Sequence, residues 1–138
     1  MTYLDIINRM AVLGDALQLS LSAKAKAETL LLRAHYARGM KEWQTQLEQI
    51  DKDTKPADGK ERSEEEKKAY EETINAKAKE DAQFGDRRYT AEAFEKLCEG
   101  IGDREEITSA LVRDKKGEPQ LLHSLIWLDF VATNLVAE

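Results

Sequence analysis

The chain has 138 residues, enough for a single modest core and too few for two independent catalytic lobes. Charged residues make up 35% of it and aromatic residues 7%, with only 7 Gly and 2 Pro. This composition favours helices over a β-sandwich or β-barrel, so we expect one all-α domain spanning residues 1–138.

The formal charge of −6 is concentrated towards the C-terminus. Residues 91–138 carry five Lys or Arg against ten Asp or Glu. Nucleic-acid binding draws most of its affinity from clustered cations, so we expect no nucleic-acid partner. An acidic surface of this kind fits a basic partner or simple solubility.

The number of cysteines and the N-terminal stretch indicate the cellular compartment in which the protein is expected. Cys98 is the single cysteine, so neither a disulfide nor a cysteine-based zinc cage can form within one chain. The opening stretch MTYLDIINRMAVLGDALQL has no basic region ahead of its apolar pattern and contains Asp5 and Asp15, which is not typical of a signal peptide. A cytoplasmic, reducing location is the expectation.

From Thr2 onward, apolar residues recur every three or four positions, which predicts an amphipathic first helix. Thr2 is the expected N-cap, and Asp5 completes a shortened capping box. Asp15 falls opposite the apolar stripe. The stripe consists of Tyr3, Ile6, Ile7, Met10, Leu13, Leu17 and Leu21.

A kink or a helix end is predicted near QLSLSAKAKAE, where Ser20 and Ser22 are the candidate caps of a second helix. That helix is predicted over about residues 23–50 and forms a long helical hairpin, or one kinked helix, with the first. Gly39 argues against an unbroken helix. The apolar seam has heptad-like spacing and contains Leu32, Tyr36, Met40, Trp43, Leu47 and Ile50.

Residues 51–62, DKDTKPADGKER, are predicted to form a charged loop. Their Asp-x-Asp opening suggests a calcium-binding loop, but Pro56 and Arg62 stand where such a loop needs Gly and a bidentate Glu. We therefore interpret the stretch as a solvated linker. Ser63 and Glu66 then form a capping box, which predicts a third, largely exposed helix.

A short fourth helix is predicted from Thr90, and the segment that follows it, residues 107–122, has two interpretations. Asp103 and Glu106 form another capping pair, which favours helix–loop–helix. The stretch ALVRDKKGEPQLL also fits a hairpin around Lys115, Lys116 and Gly117. We favour the helix because Pro119 suits a first helical turn better than a strand ladder.

The final segment, QLLHSLIWLDFVATNLVAE, is the most hydrophobic in the chain. As a helix it has two apolar stripes about 100° apart, and both must be buried against other residues. It is either the central post of a single-domain bundle of about five helices or half of an interface with another chain, and both remain open. The segment is shorter than the roughly 20 apolar residues that span a bilayer and contains His123, Asp129 and Asn134, so no membrane is expected.

No nucleotide-binding, zinc-protease or serine-hydrolase motif occurs in the sequence. His35 and His123 are the only imidazoles, and we interpret both as structural. Cys98 lies on an apolar stripe and is expected to be inert. We therefore predict no catalytic, cofactor-binding or metal-binding residue and expect that the protein is not an enzyme.

Asp129 projects between the two apolar stripes of the last segment, where an unpaired carboxylate is costly to desolvate. We interpret it as part of a buried or interfacial ion pair with Arg33, Arg38 or Arg104. The alternative is a carboxylate with a raised pKa at a functional site.

Together these features favour a non-catalytic helical interaction or assembly protein, a subunit or adaptor that self-associates or binds another protein. Two other classes remain. One is a small acidic stoichiometric inhibitor, from a mobile element or phage, that occludes a basic or nucleic-acid-binding partner. The other is an enzyme that uses carboxylates and a histidine without a recognised motif. The predicted interface residues are Tyr36, Met40, Trp43, Leu47, Leu122, Ile126, Trp127, Asp129 and Phe130.

Overall fold

The computed structural model describes residues 1–56 and 59–137. In this part of the chain there are five helices and one two-stranded antiparallel sheet. The protein is mostly helical, as predicted, but the sheet means that it is not all-α. In chain order the elements are α1 (Tyr3–Ala16), α2 (Ala23–Thr54), α3 (Glu64–Ala78), α4 (Ala91–Ile101), β1 (Glu106–Arg113), β2 (Pro119–His123) and α5 (Ser124–Leu135).

The first four helices begin at hydroxyl side chains that cap them. Thr2 and Asp5 form the predicted reciprocal capping box at α1, and Ser63 and Glu66 form the one at α3. In each, the hydroxyl accepts a backbone N–H that has no partner within the helix. The remaining caps are Ser22 at α2 and Thr90 at α4.

Helix α2 continues unbroken through Gly39 and reaches 32 residues. The glycine lies against Ile6 of α1. A Cβ at this position would be 3.0 Å from Ile6 Cδ1 and 3.4 Å from Phe84 Cζ. Gly39 therefore marks a tight helix contact and not the break that the sequence suggested.

The predicted loop of residues 51–62 is shorter than expected, because α2 continues to Thr54. Arg62 folds back onto the end of this helix. Its Nη2 donates to Asp51 Oδ1 at 2.8 Å, and its guanidinium lies 4.1 Å from the centre of the Tyr70 ring. Residues 57 and 58, in the middle of the predicted loop, lie outside the described residues.

The predicted helix–loop–helix over residues 107–122 is wrong, because this segment forms the β1–β2 hairpin. The N–H of Asp114 donates to the carbonyl of Glu118 at 3.0 Å, which closes a three-residue loop ending at Gly117 with φ +82°. Glycine in this left-handed region is typical of three-residue hairpin loops. Pro119 is the first residue of an edge strand, a position where proline costs no ladder hydrogen bond.

The core is organised around α1, which packs against α2, α3, α5 and β1. The predicted role of the last helix as a central post is therefore not confirmed. Helix α5 buries a single face, formed by Trp127, Val131 and Leu135, while its other face is exposed. None of the described helices combines the length and the apolar character needed to cross a membrane.

Candidate interaction surface

Asp15, near the end of α1, holds both the hairpin and α5 in place. Its Oδ2 accepts hydrogen bonds from Ser109 Oγ at 2.6 Å and from Trp127 Nε1 at 3.1 Å. Its Oδ1 accepts the N–H of Ala110 at 3.0 Å. One carboxylate thus satisfies donors from two other elements, and such charge-assisted bonds fix their orientation. The sequence placed Asp15 on the polar side of α1, although it lies three residues after the fully buried Val12.

A second polar cluster fixes the segment between α3 and α4. Arg9 is only 7% exposed, and its Nη1 donates to Asp86 Oδ1 at 2.6 Å and to the Tyr36 hydroxyl at 3.0 Å. That hydroxyl donates to the carbonyl of Arg87 at 2.6 Å. Burial opposes ionisation of Asp86, but a hydrogen bond from Arg88 and the charges of Arg9 and Arg88 hold the pKa of this carboxyl below its usual range. The charges and hydrogen-bonding groups of this cluster find their partners within it, which is typical of a structural role.

The same segment also anchors the residues that follow α5. The N–H of Tyr89 donates to the carbonyl of Leu135 at 2.6 Å, and the N–H of Ala137 donates to the carbonyl of Tyr89 at 2.9 Å. The Tyr89 hydroxyl is hydrogen bonded to Thr29 Oγ1 at 2.7 Å, and burial raises its pKa to about 12. Helix α5 is therefore held by Asp15 near its start and by Tyr89 at its end.

The outer side of β2 and the first turn of α5 expose three large aliphatic side chains, which we call the junction surface. Leu121 is 65% exposed, Leu125 67% and Ile126 58%. Residues 119–128 contain no Lys, Arg, Asp or Glu, in a chain of which 35% is charged. Leu121 also lines an open groove of about 650 Å³ between the hairpin and the end of α1. Single exposed aliphatic residues are routine, whereas a group of three in an uncharged stretch is typical of a contact site.

The two edges of the hairpin differ in how they are covered. The N–H of Ser124 donates to the carbonyl of Glu105 at 2.8 Å, which makes these two residues a hydrogen-bonded pair. Hydrogen-bonded and non-hydrogen-bonded pairs alternate along an antiparallel ladder, so Leu121 and Thr108 form a non-hydrogen-bonded pair. The backbone groups of Leu121 therefore point away from β1. On the opposite edge, the outward N–H of Ala110 is taken by Asp15. Strand β2 packs against β1 and α5, and within the described part of the chain no third strand pairs with its outer edge.

Two of the predicted interface residues, Ile126 and Asp129, are exposed. Tyr36, Trp43 and Trp127 belong to this chain's own core and are not accessible to a partner in this fold. The sequence did not single out Leu121 or Leu125, which it placed in one stripe of a longer helix. The other predicted interface residues are half-buried against the core, namely Met40, Leu47, Leu122 and Phe130.

Asp129 does not form the predicted ion pair. It lies on the exposed face of α5, and among the described residues no Arg or Lys side chain lies within salt-bridge distance of it. The helix begins only at Ser124 and buries one stripe, so Asp129 faces solvent. A hydrated carboxylate needs no partner, which removes the reason for a buried pair.

The two histidines and the cysteine have structural surroundings. His35 Nε2 donates to the carbonyl of Gly85 at 2.6 Å, and the Nδ1 of His123 accepts the N–H of Leu125 at 3.2 Å as the cap of α5. Burial raises the pKa of the Cys98 thiol, which disfavours the reactive thiolate. Within residues 1–56 and 59–137, no group of three His, Cys, Asp or Glu side chains is placed to hold a metal ion.

Comparisons with protein-family models, with curated proteins and with solved structures find no match for this chain. Its function is therefore inferred from its own surfaces.

Proposed function

We propose that this protein is a non-catalytic assembly protein, a subunit or adaptor, that binds another protein chain through the junction surface. The observation that supports this proposal is the exposure of Leu121, Leu125 and Ile126 within an uncharged segment. Full burial of a leucine or isoleucine side chain contributes about 1.5–3 kcal/mol. Covering three such side chains with a partner is therefore a substantial driving force for association.

The support beneath the junction surface is rigid, which favours binding. The hydrogen bonds of Asp15 and Tyr89 hold α5 at both ends, and Trp127 is fully buried directly beside Ile126 in the chain. A preordered surface loses less conformational entropy on association than a flexible one. More of the energy of apolar burial is then available for affinity.

A second pair of exposed leucines shows what distinguishes the junction surface. Leu30 and Leu31 on α2 are 48% and 68% exposed, but Glu28 and Arg33 flank them within two residues. Charges so close to an apolar contact must be desolvated when a partner covers it, which costs energy. In the sequence, the helical part of the junction surface has charge on one side only, at Asp129, one helical turn after Leu125. Leu31 therefore serves as a matched control, because it is 68% exposed and Leu125 is 67% exposed.

The test compares Leu125→Asp with Leu31→Asp. Each tagged chain is expressed in its native host together with a differently tagged wild-type copy, so that self-association and binding of another protein are both detected. We expect the wild type and Leu31→Asp to recover the same protein in fixed stoichiometry, and Leu125→Asp to lose it while its circular dichroism is unchanged.

Two results would contradict the proposal. One is recovery of no protein by the wild-type chain. The other is a complex that survives Leu125→Asp and dissociates as salt is raised, which would indicate that the acidic surface binds a basic partner instead.

A further inference from the structure

We infer that the partner is a second copy of this chain, and that two copies join along the outer edge of β2 to form one four-stranded antiparallel sheet. This inference rests on the proposed function and names the occupant of the junction surface. Across residues 1–56 and 59–137, no third strand pairs with the outer edge of β2, and the exposed Leu121 lies in that strand, a combination that favours pairing with another strand.

The backbone of β2 complements itself about a two-fold axis at Leu121. The N–H and the carbonyl of this residue point outward, so each Leu121 donates to and accepts from the Leu121 of the other copy. His123 and Pro119 lie equally far from Leu121 on either side. Gln120 Nε2 donates to the carbonyl of Pro119 at 3.1 Å, which leaves the second lone pair of that oxygen for the outward N–H of His123 in the other copy. The interface then closes on itself as a two-fold dimer requires.

Pro119 is compatible with this register and disfavours the register in which it would face Leu121. In the register centred on Leu121, the ring nitrogen of Pro119 faces the carbonyl of His123 in the other copy. That carbonyl is already used as the first acceptor of α5, so the missing N–H of proline costs nothing. A shift of two residues would place Pro119 opposite Leu121 and leave the outward carbonyl of Leu121 without a donor.

Charge also favours a second copy at this edge. Each chain carries −6, so two copies repel over most orientations. Residues 119–128 contain no charged side chain, so β2 can meet β2 without a pair of like charges in the strands. The remaining long-range repulsion is screened by salt, so the dimer should tighten as ionic strength rises.

Apolar side chains add to the backbone hydrogen bonds of the proposed pairing between the two β2 strands. In the proposed register the two Leu121 side chains lie directly opposite each other on the exposed face of the sheet, at the roughly 5 Å Cβ separation of such pairs. Both are removed from water, where each is now 65% exposed. Leu125 and Ile126 are exposed in the first turn of α5, which follows β2 directly in the chain.

The decisive variants are Leu121→Pro and Leu121→Thr. Proline removes an outward N–H but no hydrogen bond to β1, whereas threonine removes most of the apolar side chain and keeps the N–H. Solution mass is measured by light scattering over a wide dilution series. We expect a wild-type dimer that dissociates on dilution and tightens with salt. Leu121→Pro should dimerise at least about tenfold more weakly than Leu121→Thr.

A second measurement uses the wild-type chain and does not depend on the folding of any variant. Hydrogen exchange at the Leu121 and His123 amides should slow as concentration rises, while exchange at the Ala110 amide, already bonded by Asp15, should not change. Equal dimerisation of the two Leu121 variants, or exchange at Leu121 that is independent of concentration in a dimeric sample, would overturn the pairing.

The outcomes separate this inference from the proposed function. A chain that stays monomeric at every concentration, yet captures a different protein that Leu125→Asp loses, overturns the self-pairing and leaves the proposed function intact. A dimer that is unaffected by the Leu121 variants and by Leu125→Asp overturns both.

Discussion

Two polar residues of α1 connect the N-terminal helix to distant parts of the chain. Arg9 reaches the segment between α3 and α4 through Asp86, and Asp15 reaches β1 and α5. Arg9 is buried and Asp15 is half-buried, and a polar group that is partly or fully removed from water is costly when its partners are lost. Substitution of either should therefore affect stability far more than substitution of an exposed charge.

Replacing Asp15 with asparagine should lower the free energy of unfolding by about 1–3 kcal/mol, because an amide offers one acceptor oxygen to three donors and places an NH2 group against the others. Urea denaturation followed by tryptophan fluorescence measures this loss. Asp129→Asn is the matched control, with an expected change within about 0.5 kcal/mol because Asp129 is exposed. Equal losses for the two variants would contradict the role of Asp15.

The contrast between Asp15 and Asp129 shows what the sequence could not reveal. Periodicity locates a residue relative to the axis of its own helix and carries no information about elements that pack there later. The partners of Asp15 lie 94 and 112 residues away, at Ser109 and Trp127. The sequence consequently drew attention to the carboxylate with no structural role.

At the scale of elements, four of the five helix starts predicted from capping residues are confirmed, whereas the capping pair of Asp103 and Glu106 is wrong because Glu106 begins β1. Thr2, Ser22, Ser63 and Thr90 cap helices as predicted, because a cap is decided within four residues. The hairpin was the alternative interpretation of residues 107–122 and was not favoured, because Pro119 is acceptable both in a first helical turn and on a strand edge. Once β2 replaces the expected helical turn, α5 starts late and buries one stripe. The sequence left open whether the final segment is covered within the chain, and it did not single out Leu125, which is exposed in the structure.

The two glycines inside α1 and α2 should respond oppositely to alanine. A Cβ at Gly14 meets nothing within 4 Å, so Gly14→Ala should stabilise the protein by up to about 1 kcal/mol through helix propensity. A Cβ at Gly39 would lie 3.0 Å from the fully buried Ile6, so Gly39→Ala should destabilise it by about 1–3 kcal/mol. Thermal unfolding monitored by circular dichroism distinguishes the two. A rise in Tm for both variants would show that α1 can move away from α2.

At the scale of the whole molecule, the segment between α3 and α4, residues 79–90, forms hydrogen bonds with residues at both ends of the described chain, and we call it the latch. The N–H of Ala82 donates to the carbonyl of Met1 at 2.9 Å, and Tyr89 pairs with Leu135 and Ala137. Tyr36 and Arg9 hold the middle of the latch against α1 and α2. The positions of α1 and α5, and with them the junction surface, therefore depend on a segment with no regular secondary structure.

The latch makes the global stability sensitive to alkaline pH. Burial raises the pKa of Tyr89 to about 12, against about 10 for an unfolded tyrosine. A group whose pKa is raised by folding contributes stability that is complete below the unfolded value and is lost as pH rises through the folded value. The free energy of unfolding should therefore fall by up to about 3 kcal/mol between pH 10 and pH 12. Burial also raises the pKa of Tyr36, which acts in the same direction.

Tyr89→Phe tests this origin of the pH dependence. The variant loses the hydrogen bond to Thr29, so at neutral pH it should be less stable than the wild type by about 1 kcal/mol. Above pH 10 its stability should fall less steeply, because phenylalanine has no proton to lose. Urea denaturation at a series of pH values measures both effects. Parallel pH profiles for the two proteins would assign the alkaline loss to other groups, whereas profiles that converge towards pH 12 would locate it at the residue that ties α2 to the end of α5.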